Sequence, residues 1–134
     1  RRLGKRRDSR PPSTSSELLN LDDLVLVQDG NRRCWLVLKK LCLIEANGDF
    51  TVLQSVNGIS GVVWRSLRQW EKLLPQDQFA RIHRGMIVNL EFVEAVESMP
   101  GNRLRLHVLG VTKPCIASRR LTPRIRKLIS QLSD

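Results

Sequence analysis

Two short runs in this sequence carry side chains suited to gripping an anion or the edge of a base. The first is Phe79-Ala80-Arg81-Ile82-His83-Arg84-Gly85-Met86-Ile87-Val88-Asn89. Strand alternation puts Phe79, Arg81 and His83 on one face and Ala80 and Ile82 on the other. The break at Arg84-Gly85 then leaves a guanidinium and an imidazole at a hairpin tip. Gly85 is a candidate for positive φ there. The second run, Ser118-Arg119-Arg120, sets two guanidiniums just ahead of a helix start. A guanidinium is a planar fork of donors that matches a phosphate, or guanine O6 and N7, with two parallel hydrogen bonds.

The charge around these runs points to a polyanionic partner. The chain has 134 residues and a net charge of +10. Residues 1–16 contribute +5, with Arg1, Arg2, Lys5, Arg6, Arg7 and Arg10 against Asp8. Their Gly, Ser and Pro content with few apolar residues reads as a basic flexible linker or tail, and residues 17–134 as one domain. Between Glu97 and Asp134 there is no acid, yet Arg103, Arg105, Lys113, Arg119, Arg120, Arg124, Arg126 and Lys127 all fall there. A merely solubilising face mixes signs; eight cations without an acid suit a nucleic acid.

Other chemistries find little support. Cys34, Cys42 and Cys115 form no even framework and no metal-binding spacing, so a reduced interior is expected, with Cys34 and Cys42 as small core residues. His83, His107, the cysteines and Asp22-Asp23 sit in no nucleophile elbow, phosphate loop or metal-ligand pattern. The expectation is therefore no catalysis, no cofactor and no metal. No apolar run reaches membrane-span length and no signal peptide is visible, so a soluble, cytoplasmic protein without membrane contact is expected. Starting at Arg1, the sequence reads as a piece of a longer protein.

The elements that must position the two runs are mostly strands. Leu24-Val25-Leu26-Val27 and Cys34-Trp35-Leu36-Val37-Leu38 flank an Asp29-Gly30-Asn31 turn. Leu41-Cys42-Leu43-Ile44, the segment from Phe50 to Gln54 and the segment from Ile59 to Trp64 follow, punctuated by Asn47-Gly48 and Asn57-Gly58. At Ser66 the period changes: Leu67, Trp70, Leu73 and Leu74 are helically spaced, Ser66 and Gln69 make a capping box, and Pro75 stops the helix. Strands from Phe92 to Glu97, from Arg103 to Val108 and around Cys115-Ile116-Ala117 complete the β content, with Arg103, Arg105 and His107 on one face. A last helix is predicted with Thr122 as N-cap, Pro123 at its first position and a buried stripe of Ile125, Leu128, Ile129 and Leu132. Trp35, Trp64 and Trp70 read as core or sheet-packing residues, and Asn89 as a turn-former. The fold class is mainly β: small antiparallel sheets of about ten short strands, with two short helices.

Phe-x-Arg-x-His-x-x-x-x-Val-Asn, followed some thirty residues later by Ser-Arg-Arg, resembles the LytTR family of bacterial DNA-binding domains. Ile44-Glu45-Ala46-Asn47-Gly48, the Ser66-Leu67 helix and Leu73-Leu74 stand in the order that family would have, and the similarity spans about residues 21–130. The resemblance implies an elongated set of small antiparallel sheets that inserts loops, not a helix, into successive major grooves. It also implies the effector half of a two-component response regulator. The partners would be double-stranded promoter DNA, an upstream receiver domain absent from this chain, a histidine kinase acting through it, and a second copy on DNA.

Carried onto this sequence, the base-reading candidates are Arg84 and Arg120, with His83, Asn47 and Asp49; the phosphate candidates are Arg81, Arg103, Arg105, Lys113, Ser118 and Arg119. Ser118 could donate to DNA or simply cap the turn that follows, and His83 could contact DNA or be a satisfied structural histidine. Gly85 stands where the family often has Ser, and Met86 where it often has an aromatic residue. Asp49 repels phosphate but could accept from cytosine N4. The rival reading is a basic RNA-binding or non-specific polyanion or interaction module, though a chain with no Tyr and three Phe is poorly supplied for base stacking.

Overall fold

A computed structural model describes residues 18–132. The expected tail, residues 1–16, lies outside the described residues. The ten strands are β1 (Leu24–Asp29), β2 (Arg32–Val37), β3 (Leu41–Asn47), β4 (Phe50–Ser55), β5 (Ser60–Val63), β6 (Phe79–His83), β7 (Met86–Asn89), β8 (Val93–Met99), β9 (Arg103–Val108) and β10 (Cys115–Ala117). The helices are α1 (Leu67–Leu73) and α2 (Thr122–Leu132). Seven strands form one antiparallel sheet in the order β2-β1-β5-β4-β3-β7-β6, and the other three form a second in the order β10-β9-β8.

The large sheet is covered on one face by α1 and on the other, around β3, β7 and β6, by the small sheet and α2. On one face Ile44, Leu53, Phe79 and Ile87 pack with Leu67, Trp70 and Leu74 from α1 and the residue after it. Trp70 is fully buried, and its indole N–H donates to Thr51 Oγ1 at 2.9 Å, so the ring enters the core without an orphaned donor. The capping box read from Ser66 and Gln69 is formed in both directions. On the other face Leu43, Ala80, Ile82, Met86 and Val88 pack with Leu104, Leu106 and Cys115 of the small sheet and Ile125 of α2. Desolvation raises both buried thiols, Cys42 to about 11, so they behave as small apolar groups.

Several expectations change. Thr122 is the first residue of the last helix and not its cap: in the turn that leads into the helix, Ser118 O accepts from Thr122 N at 3.0 Å and from Thr122 Oγ1 at 2.9 Å. The stripe on α2 is also shorter than its spacing suggests, because the core ends before the helix does and leaves Leu132 exposed. Trp64 is 73% exposed, because the chain turns back on itself at that residue instead of continuing β5.

Asn89 is fully buried at the end of β7 and ties three segments together. Its amide donates to Leu41 O at 2.8 Å, and its carbonyl oxygen accepts from Glu91 N at 3.0 Å and Gln78 Nε2 at 3.2 Å. Asn89→Ala strands these buried groups and should destabilise the domain by about 2–3 kcal/mol. The check is a lower midpoint at unchanged slope in a urea titration.

Candidate nucleic-acid interface

One end of the large sheet gathers the loops that carry the candidate residues. The β3–β4 hairpin turns through Gly48 (φ 66°), and the β6–β7 hairpin turns through Arg84-Gly85. The two are joined by a backbone hydrogen bond from Ala46 N to Gly85 O at 2.9 Å. The third loop is tied to the same hairpin by Ser118 N donating to Ile82 O at 2.8 Å. At its other end, Lys113 reaches Glu45 on β3 at 2.6 Å. The chain therefore passes from above β3 to β6 within six residues, across the intervening β7.

Within β6 the alternation read from the sequence fails at one residue. Arg81 pairs with Ile87 and His83 with Met86, leaving Ile82 as the extra residue of a bulge. Phe79 and Arg81 consequently face α1, while His83 is carried to the opposite face, near Glu45. This is a correction to the shared face expected for Phe79, Arg81 and His83. Gly85 does not have positive φ either; a Cβ there would meet His83 Cε1 at 3.4 Å.

The tip is held from beneath by Arg81. Its guanidinium pairs with Glu71 of α1 at 2.9 Å and donates to Arg84 O at 2.6 Å. With its side chain only 26% exposed, Arg81 is engaged as a brace rather than offered to solvent. Above it, Gly85 N donates to His83 Nδ1 at 3.0 Å, so the neutral ring carries its proton on Nε2. Burial pushes the His83 pKa down, with Arg81 and Arg84 acting the same way and Glu45 opposing.

The remaining candidates divide by whether a partner already holds them. Arg84, Arg119 and Arg120 are exposed, and their guanidiniums have no hydrogen-bond or ion-pair partner among the described residues. Asn47 and Asp49 are exposed at the first hairpin tip. Ser118 uses its hydroxyl to accept from Leu121 N at 3.3 Å, which caps the turn into α2. Arg103 is exposed at the start of β9, whereas Arg105 is half-buried and lines one pocket with His107 and Lys113. His107 is paired with Glu97 at 2.7 Å. The sequence reading missed the clamps, Glu45 on Lys113 and Glu71 on Arg81. Sixty-eight residues separate the first pair, so no local pattern could show it.

The sequence profile of the LytTr DNA-binding domain matches residues 18–130. The chain belongs to the LytTR family of DNA-binding domains. Among solved structures, it is similar to the LytTr DNA-binding domain of a Bacillus cereus protein described as a methyl-accepting/DNA response regulator. The two share 24% sequence identity and a TM-score of 0.71, over 79% of this chain and 95% of that one. No curated protein sequence matches the chain. The shared fold is the mainly β architecture of ten strands and two short helices expected from the sequence.

Protonating His83 removes the lone pair that Gly85 N uses. Because the folded domain holds this pKa below its unfolded value, the unfolded chain takes up the proton first. Stability linked to this ring is therefore full above the ordinary histidine range and falls as pH drops through it. His83→Gln should flatten that slope, measured as the difference in urea midpoint between pH 7.5 and pH 5.5 for the two proteins.

Proposed function

We propose that this LytTR domain is a sequence-specific, double-stranded DNA-binding effector of a bacterial two-component transcription regulator, reading major grooves through loops. The observation that carries this reading is the convergence of three loops on one end of a sheet, with the guanidiniums of Arg84, Arg119 and Arg120 unpaired among the described residues. Arg84 and Arg120 are the base readers, each offering a bidentate fork to guanine, and the Nε2–H of His83 is a further donor. Asn47 and Asp49 present the first hairpin to the same groove. Arg119 and Arg103 suit phosphates, with Arg105 and Lys113 behind them.

An upstream receiver domain, phosphorylated by a histidine kinase, would bring two copies onto half-sites one or two helical turns apart, about 10.5 base pairs each. The cytoplasm is the compartment that fits this role. Support for the regulatory context comes from the description of the Bacillus cereus protein, and among the described residues no helix is long and apolar enough to cross a membrane.

Selection of bound duplexes from a random library at about 150 mM salt should enrich a short motif. Arg120→Ala should then cost about 1–3 kcal/mol on that motif and much less on random DNA. Salt-sensitive binding without enrichment would instead favour a generic polyanion binder. Glu45 competes with DNA for Lys113, so Glu45→Gln should strengthen binding to every sequence. It should also steepen the salt dependence by about one phosphate's worth, a slope change near 0.9 in log K against log salt.

A further inference from the structure

Trp64 stands in a cross-strand row with a residue of the reading hairpin. Asn47 pairs with Phe50 across β3 and β4, and Thr51 pairs with Val63 across β4 and β5, which brings Trp64 beside Phe50. The rings meet edge to face, with centroids 5.0 Å apart and planes at 68°. Just past β5 the chain turns back, with Arg65 N donating to Val63 O at 2.9 Å. Arg65 then lies over Trp70 on the α1 side, 4.6 Å from the ring centroid, and Arg65 O accepts from Thr51 Oγ1 at 2.9 Å. Trp64 projects from the other face at 73% exposure, so Phe50 orients the indole without covering it.

Position and chemistry together suggest what covers it. The major groove admits a two-stranded β ribbon, and here β3 and β4 supply one. A third strand, about 4.8 Å further along the sheet, falls over the wall of the groove, which is sugar and phosphate. With the guanidinium of Arg65 drawn back onto Trp70, Trp64 offers that wall an apolar ring and an N–H donor.

Resting on the DNA-binding reading above, we propose that Trp64 is a fourth contact of the interface. Its indole packs on deoxyribose beside the groove entered by the β3–β4 hairpin, and its Nε1–H donates to a phosphate oxygen. Such a contact is indifferent to base sequence and adds no charge.

The test is a fluorescence anisotropy titration of the full 134-residue chain on the selected motif and on random duplex, for the parent, Trp64→Ala, Trp64→Phe and Arg120→Ala. Loss of a donor to a charged oxygen corresponds to about tenfold in affinity. Trp64→Ala should weaken both duplexes by about that factor, with the salt slope and urea midpoint unchanged, and Trp64→Phe should fall between parent and Ala. The inference is overturned if Trp64→Ala binds like the parent while Arg120→Ala weakens the motif. It is equally overturned if Trp64→Ala alters only sedimentation, which would make the ring a contact between copies. If neither variant weakens binding to the motif, the inference is overturned together with the base-reading role given to Arg120; if the parent binds neither duplex, the DNA-binding reading itself fails.

Discussion

Two backbone hydrogen bonds, Ala46 N to Gly85 O and Ser118 N to Ile82 O, govern the functional end of this domain. Loops that carry function are ordinarily the most mobile parts of a fold, and a reading loop displaced by an ångström loses its register on a base. Here the β6–β7 hairpin serves as the fixed member, and each neighbouring loop is bonded to it through main chain. Because main-chain donors and acceptors make the joints, the side chains at the tips remain available. The bulge at Ile82 belongs to the same arrangement. It carries His83 to the face of Glu45 while leaving Arg81 on the face of α1, so the tip is braced from below and presented from above.

Net charge describes this surface less well than the division between paired and unpaired cations. Arg81 and Lys113 each face a carboxylate at 2.9 Å or less. Such partly exposed pairs contribute little to stability. Their effect is positional: the Glu71 pair fixes the hairpin tip and the Glu45 pair holds the loop before β10 against β3. Arg84, Arg119 and Arg120 stand on those supports with no partner for their guanidiniums among the described residues. A phosphate or base edge meeting them displaces water and counterions rather than a carboxylate, so the cations with no structural duty are those with the most to gain from DNA.

What could be read from the sequence follows the range of the interactions involved. Hairpin turns, the capping box at Ser66 and the two helices were legible because their signals lie within a few residues. The three candidate loops, which the structure brings to one end of the sheet, were proposed through the family pattern, which records spacing along the chain. Bulges and long-range pairs were not. One inserted residue at Ile82 reverses the facing of His83, and strict alternation has no term for it. The start of α2 was misplaced by one residue because Ser118 and Thr122 are both good caps. The choice fell to Ser118, whose amide is anchored to Ile82 and whose carbonyl receives the first helical bonds. Trp64 looked like core by residue type, yet the turn that sends Arg65 toward Trp70 leaves the preceding side chain outside.

The place of α2 agrees with the proposal that loops, and not a helix, face the nucleic acid. The apolar residues Ile125, Leu128 and Ile129 seat the helix on the core shared by the two sheets, so that face is committed to packing, while Arg124, Arg126 and Lys127 are exposed on the other. The candidate loops are approached by the segment ahead of the helix, where Ser118 caps the turn into it and the two arginines that follow are exposed. The large sheet is similarly committed on the faces covered by α1 and by the small sheet. Its strand ends remain, and they come in adjacent pairs about 4.8 Å apart, the width of a ribbon that a major groove accepts. A fold that packs its faces in this way leaves its hairpin tips to solvent, and Arg84 stands at one of them with no partner for its guanidinium among the described residues.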